Sequence, residues 1–310
     1  MRLKYIILFS LCIGLFILGM TVIRIGMFNI SGDRLKVLLK KLTSSPAKGM
    51  VTGTLVTAVL QSSSTVMVLA IGLISARVLT FPQSIGIILG TNIGTTFKTE
   101  LITFDLGRIL IPIAIIGVLF TFAKNAAWRS LGMVFLGIAS VFTAMKGFEA
   151  LAVPLTSVDS VSRLLMSLNE HVLMGIAAGA CMTAIIQSST AMTGIAMGFL
   201  TSGVLGLEAG IAVMLGANIG TCITALIASI GGGEEAKLAA FAHVWLNVIG
   251  VLLFIPLIPV LGGLGPNLAK SPDVQLAHIS VIFNVLTSLM ALPFAERFGR
   301  MIMYLHARKV

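Results

Sequence analysis

Gln61-Ser62-Ser63-Ser64-Thr65 (QSSST) places five polar side chains in a row inside an apolar segment, and Gln187-Ser188-Ser189-Thr190 (QSST) repeats the run in the second half of the chain. In hydrocarbon every hydroxyl and amide must find a partner, so non-helical polar backbone at membrane depth persists only where protein buries it or a wet cavity borders it. The segments around the two runs, 47–77 and 171–202, are long for one crossing and are interrupted by hydroxyls at their centres. Each is expected to be a re-entrant helical hairpin that dips into the bilayer, turns at its QSS tip and returns.

The repetition extends beyond the tips. Gly49, Gly53, Thr57, Gly72, Gly90, Asn92, Gly94 and Thr95 recur at one constant offset as Gly175, Gly179, Thr183, Gly198, Gly216, Asn218, Gly220 and Thr221. Roughly 18 of 47 aligned positions match without a gap, the mark of a duplicated unit. Repeat 1 covers about 5–122 and repeat 2 about 128–296. Three predicted crossings separate the two hairpins: Pro82 to Phe104, Gly107 to Phe122, and Trp128 to Met145. An odd number makes the second copy enter from the opposite face. The expected fold class is an all-α polytopic membrane protein with inverted-topology repeats, each holding a re-entrant hairpin and a broken transmembrane helix.

Composition agrees with a membrane setting. The chain is 57% hydrophobic and 10% charged with mean hydropathy +1.07, against roughly 25% charged in soluble domains. We expect six to eight spans in a single integral domain, 1–310. The net charge of +10 does not point to nucleic acid, because no basic run is interleaved with aromatics. With the N-terminus outside and the C-terminus cytoplasmic, about 14 Lys and Arg fall on the cytoplasmic side and about 7 opposite, as a plasma (inner) membrane protein requires. Arg2 and Lys4 precede an apolar run without a cleavage site, so Tyr5 to Ile23 is read as a retained first span. Cys12, Cys181 and Cys222 read as small apolar fillers.

Between these landmarks, Ser31 to Lys41 sets Leu35, Leu38, Leu39 and Leu42 on one face, which suits a helix lying in the membrane interface. Gly90 to Thr96 (GTNIGTT) and Gly216 to Cys222 (GANIGTC) would weaken ordinary helices, so the spans Pro82 to Phe104 and Glu208 to Ile230 are read as broken. Glu149 to Asn169 reads as a polar linker, and Leu238 to Val260 and Ala277 to Phe294 as the last spans.

Hydroxyl, amide and carbonyl oxygens without formal charge suit a sodium ion, and half-helix N-termini suit an oxyanion. No Arg or Lys lies within the QSS motifs, so an anion there would be held by donors and co-bound cations. The paired LQSSST and IIQSST motifs, with GTNIGTT and GANIGTC downstream, resemble the sodium-dependent phosphate cotransporter family over about residues 11–296. The resemblance implies sodium-coupled secondary transport of inorganic phosphate, with phosphate and sodium at the hairpin tips and no cofactor besides the coupling ion. Carried over by position, Gln61, Ser62, Ser63, Ser64, Gln187, Ser188, Ser189 and Thr190 are the substrate and ion candidates. Asn92, Thr95, Asn218 and Thr221 are supporting residues. Individual sodium ligands are not assigned, and a homo-oligomer is left open.

The chain departs from the family pattern at Thr91, where Ala is usual, and at Lys98 and Glu100, where relatives tend to be uncharged. Two residues apart, Lys98 and Glu100 do not share a helix face, and both are expected at the membrane interface. His243 and His278 are read as core or interfacial residues. Interhelical hydrogen-bond glue and helix capping are the plain readings of the QSS tips and of Asn92 and Asn218. An enzyme is disfavoured: neither QSS run sits in a G-x-S-x-G elbow, and no carboxylate lies near either tip. The alternatives are a transporter or exporter of another oxyanion, or a non-transporting membrane regulator of phosphate homeostasis.

Overall fold

The computed structural model describes residues 2–41, 43–107 and 109–307, and among these it forms helices and turns without a strand. Leu42 and the basic tail through Lys309 lie outside the described residues. The first half contains α1 (Arg2–Lys41), α2 (Pro46–Leu60), α3 (Ser63–Ser75), α4 (Phe81–Leu101) and α5 (Leu110–Thr121). The second contains α6 (Ala126–Leu155), α7 (Asp159–Glu170), α8 (Val172–Ile186), α9 (Ser189–Thr201), α10 (Leu207–Gly220) and α11 (Cys222–Ala228). It ends with α12 (Gly233–Phe254), α13 (Ile258–Leu268), α14 (Pro272–Ala291) and α15 (Ala295–His306). Short 3-10 turns at Pro256 and Pro293 join the last two pairs, where proline removes a backbone donor. Five stretches are long and apolar enough to cross a bilayer: Leu3–Gly32, Ala126–Leu155, Leu207–Ala228, Gly233–Leu268 and Pro272–His306. The protein is a multi-pass membrane protein.

The duplicated sequence folds alike in its two copies. Each QSS segment is a helix, a two-residue break and a second helix, and α2 packs along α4 as α8 packs along α10. The flanking helices have 15 and 13 residues in both copies, rises of about 22 and 20 Å against a hydrocarbon core of about 30 Å. The repeated glycines explain the pairing. A Cβ on Gly53 would press on the carbonyl oxygen of Ile87, and one on Gly90 on that of Met50. In the second copy Gly216 faces the carbonyl of Ile176, and Gly179 that of Val213. Small residues let backbones touch where lipid offers no hydrophobic drive for association.

This packing overturns the broken span in the first half. α4 runs without interruption from Phe81 to Leu101, and Thr91, Thr95 and Thr96 donate to carbonyls three or four residues back in the same helix. Its glycines serve close approach rather than unwinding. In the second half the path is interrupted only at Thr221, which keeps helical angles (φ −61°, ψ −25°) between α10 and α11.

Three further expectations are corrected. Ser31 to Lys41 is no separate interfacial helix but the end of α1, and Leu35 and Leu39 are buried in a core with Val56, Phe81 and Ile85. Their face packs on protein instead of headgroups. Gly107 to Phe122 yields only the 12-residue α5, about 18 Å long. Neither it nor α4 is among the five stretches long and apolar enough to cross a bilayer. The linker Glu149 to Asn169 is largely helical: α6 continues to Leu155, and α7 begins at Asp159.

Candidate functional site

The two breaks share one backbone geometry. Gln61 and Gln187 end their helices in the left-handed region, at φ 52° and 57°, and the following serine is extended and caps the next helix. Ser62 Oγ accepts from the Thr65 amide at 3.2 Å and from Thr65 Oγ1 at 2.9 Å; Ser188 Oγ accepts from the Ala191 amide at 3.2 Å. Among the described residues only Gln61, Arg77 and Gln187 combine a side chain with positive φ, a conformation that glycine adopts without strain. Glutamine is therefore held at both breaks against local preference. Each break brings the carbonyl end of one helix and the N–H end of the next to one point, offering oxygens to a cation and donors with a positive dipole end to an anion.

A cavity of about 630 Å³ joins the two breaks, within the usual ligand range of roughly 300–1,000 Å³. Its walls carry Ser64 and Thr65 from the first break, Gln187 and Ser188 from the second, Arg24 from α1 and Thr224 from α11. Ser62 and Ser63 are buried and Gln61 is half-buried, whereas Gln187 is exposed, Ser188 and Ser189 are half-buried and Thr190 is buried. Several buried polar atoms here have no hydrogen-bond partner: Thr57 Oγ1 and Gln61 Oε1 beside the first break, Thr183 Oγ1 and Thr190 Oγ1 beside the second, and Arg24 Nε.

The four supporting residues lie elsewhere. Asn92 borders a separate crevice of about 280 Å³ with Leu246, Thr287 and Ser288. Thr95 Oγ1 donates to the Thr91 carbonyl at 2.8 Å, Asn218 Nδ2 to Met214 at 2.9 Å, and Thr221 Oγ1 to Ala217 at 2.9 Å. These three bonds stay within the local helix, and none of the four residues lines the cavity between the breaks.

Two cations at the site escaped the sequence reading. Ending the first span at Ile23 leaves Arg24 as a flanking residue, but α1 continues and Arg24 falls inside the apolar stretch Leu3–Gly32. A lone arginine between apolar turns was the available signal. Lys98, expected at the interface, is instead only 8% exposed and donates its Nζ to the carbonyl oxygen of Gln61 at 3.3 Å. It lies within coulombic range of Arg24. Among the described residues no carboxylate pairs with either cation; Glu100, two residues on, contacts His278 Nδ1 at 2.8 Å. His243 is buried with its Nδ1 unpartnered.

A family model described as Na+/Pi-cotransporter matches residues 15–150 and 152–262. The chain belongs to the Na+/Pi-cotransporter family. Within it, the chain is 38% identical over 297 residues to the uncharacterized protein YqeW of Bacillus subtilis, covering 96% of this chain and 97% of that one. It is 24% identical over 289 residues to YjbB of Salmonella typhimurium, whose name assigns it provisionally to inorganic phosphate export; that match covers 93% of this chain and 53% of YjbB. The sodium-dependent phosphate transport protein 2A of Oryctolagus cuniculus is 33% identical over 122 residues, 36% of this chain and 19% of that protein. No solved structure matches the chain. The family is a transporter family, and the names of these relatives support phosphate transport.

Proposed function

We propose that this Na+/Pi-cotransporter family member is a secondary transporter that couples sodium to the movement of inorganic phosphate across the plasma membrane. Its two QSS breaks would be the tips of re-entrant hairpins in an inverted repeat, related by a rocking motion that exposes the site to each side in turn. One observation carries the reading: both breaks, 126 residues apart in sequence (61 to 187), border a single cavity that also receives Arg24. Phosphate would lie against the N-terminal turns of α3 and α9. The hydroxyls of Ser62 and Ser188, whose oxygens already accept capping bonds, keep their protons to donate. Arg24 supplies a planar donor pair of the kind that phosphate oxygens take. The donor set also fits sodium: Thr57, Thr183 and Thr190 bring uncharged, unpartnered buried oxygens to the breaks.

Radiolabelled phosphate flux into vesicles reconstituted with the purified protein, with and without an inward sodium gradient, tests this. Ser63→Ala and Gln187→Ala should each lower the flux by about tenfold or more while leaving membrane insertion intact; unchanged sodium-driven flux in both variants would remove the site. Competition by sulfate, arsenate and carboxylates distinguishes phosphate from another oxyanion. The similarity to YjbB favours a second reading in which net movement is outward. Loading the vesicles with phosphate and reversing the sodium gradient separates the two directions. A purified protein with no flux in either direction would favour the regulator reading.

A further inference from the structure

The repeated fold lets the two breaks be compared residue by residue, and one pair does not match in charge. Lys98 lies 37 positions after Gln61, and the residue 37 positions after Gln187 is Thr224. At the first break the Lys98 ammonium is buried and donates to the carbonyl oxygen of Gln61, the C-terminal carbonyl end of α2. A carbonyl freed by a helix break and standing at the negative end of a helix dipole is where a bare cation binds. At the second break Thr224 is neutral, and its hydroxyl donates to the Thr221 carbonyl at 2.9 Å, within its own helical turn. The threonine one turn before each break is unchanged: Thr57 and Thr183 both keep a buried hydroxyl oxygen without a partner. The breaks therefore share their oxygens and differ in whether a protein cation already occupies them.

The geometry points to Lys98 as a tethered cation that stands where a coupling sodium ion would bind at the first break, leaving sodium to the neutral oxygens around the second. This rests on the sodium-coupled reading above and deepens it: the transporter carries one sodium ion fewer per phosphate than a site with two free breaks. The environment of Lys98 agrees. No carboxylate pairs with it among the described residues, and Arg24 adds a second positive charge within coulombic range. Arg24 lines the cavity itself, while Lys98 stays buried behind the first break.

Sodium titration of thermal unfolding, using detergent-purified full-length protein at constant ionic strength with N-methylglucamine as replacement, reads sodium binding without any need for phosphate flux. Lys98→Thr installs the residue of the second repeat, and Lys98→Arg keeps the charge. The expected result is a steeper sodium dependence in Lys98→Thr, corresponding to one further bound ion, with the wild-type slope in Lys98→Arg. In vesicles below sodium saturation, Lys98→Thr should lose roughly tenfold more flux than the wild type for each tenfold drop in sodium. A wild-type slope in Lys98→Thr, or no sodium response in any of the proteins, would overturn the assignment. So would a Lys98→Thr protein that no sodium concentration allows to be recovered, since a stand-in for an ion must be replaceable by that ion. Wild-type protein that binds sodium yet moves no phosphate would instead sink the transport reading and the ratio drawn from it, while the sodium slopes of Lys98→Thr and Lys98→Arg would still decide whether Lys98 holds a sodium position.

Discussion

The two helix breaks have the same sequence core, the same left-handed glutamine and the same serine cap, yet they are not equivalent in the folded chain. The first buries Ser62 and Ser63, holds Lys98 on its carbonyl and reaches the cavity only through Ser64 and Thr65; the second opens on it through an exposed Gln187. Duplication supplied one backbone device twice, and residues outside the 47 matched positions gave the copies different electrostatics. Arg24 belongs to that second set. It comes from α1, outside the matched 47 positions, and reaches the cavity from the side of neither break.

The comparison is broken most severely by removing that shared charge. Arg24→Gln keeps the length and hydrogen-bonding capacity of the side chain and deletes its cation. If both breaks serve one anion, phosphate affinity should fall by about 100-fold, the scale expected when one member of a buried charge pair is lost. The apparent KM of phosphate flux in vesicles measures this. A fall confined to a few-fold would mean that the helix N-termini alone hold the anion.

A smaller effect separates backbone from side chain. Gln61→Gly and Gln187→Gly each place at the left-handed position the residue that adopts it freely, so the strain of roughly 1–3 kcal/mol is relieved and thermal stability should hold or rise. Transport should nevertheless fall, by about tenfold, because each variant loses the amide group and gains backbone freedom at the site. The exposed Gln187 lines the cavity and should give the larger loss of flux; the half-buried Gln61 should give the larger gain in stability. Equal losses in both assays at both sites would show that the glutamines act only as caps.

The positions of the breaks were legible in the sequence because polar runs inside apolar segments leave few physical options. The predicted hairpins 47–77 and 171–202 coincide with helix–break–helix units at Pro46–Ser75 and Val172–Thr201. The glycines misled in the first half. Gly90 and Gly94 read as helix weakeners, but in a helix held against a neighbour they are a contact face, and only the partner helix α2 reveals this. Arg24 and Lys98 were legible as charges and illegible as site residues. Their roles depend on helix length and on which carbonyl a long flexible side chain reaches, neither of which sequence spacing encodes. Asn92 shows the converse, since a motif position matched between the repeats opens on a different crevice.

The smallest effect uses a glycine pair that the repeat keeps identical. Gly72 and Gly198 occupy equivalent positions in α3 and α9, near the end of each second helix. A Cβ on Gly72 would meet nothing within 4 Å, whereas one on Gly198 would sit 2.8 Å from Phe148 Cβ and 2.9 Å from the Glu149 amide nitrogen. Gly72→Ala should leave stability unchanged or raise it by up to about 1 kcal/mol, through the better helix propensity of alanine. Gly198→Ala forces α9 away from α6 and should cost about 1–3 kcal/mol. Thermal unfolding in detergent compares the two directly. Opposite signs would place α9 in a rigid seat against α6 while α3 keeps free space on its glycine face. That is the arrangement required if the first break moves relative to a fixed second half. Equal costs at the two glycines would mean that both second helices are seated alike, and the difference between the breaks would then reduce to Lys98 alone.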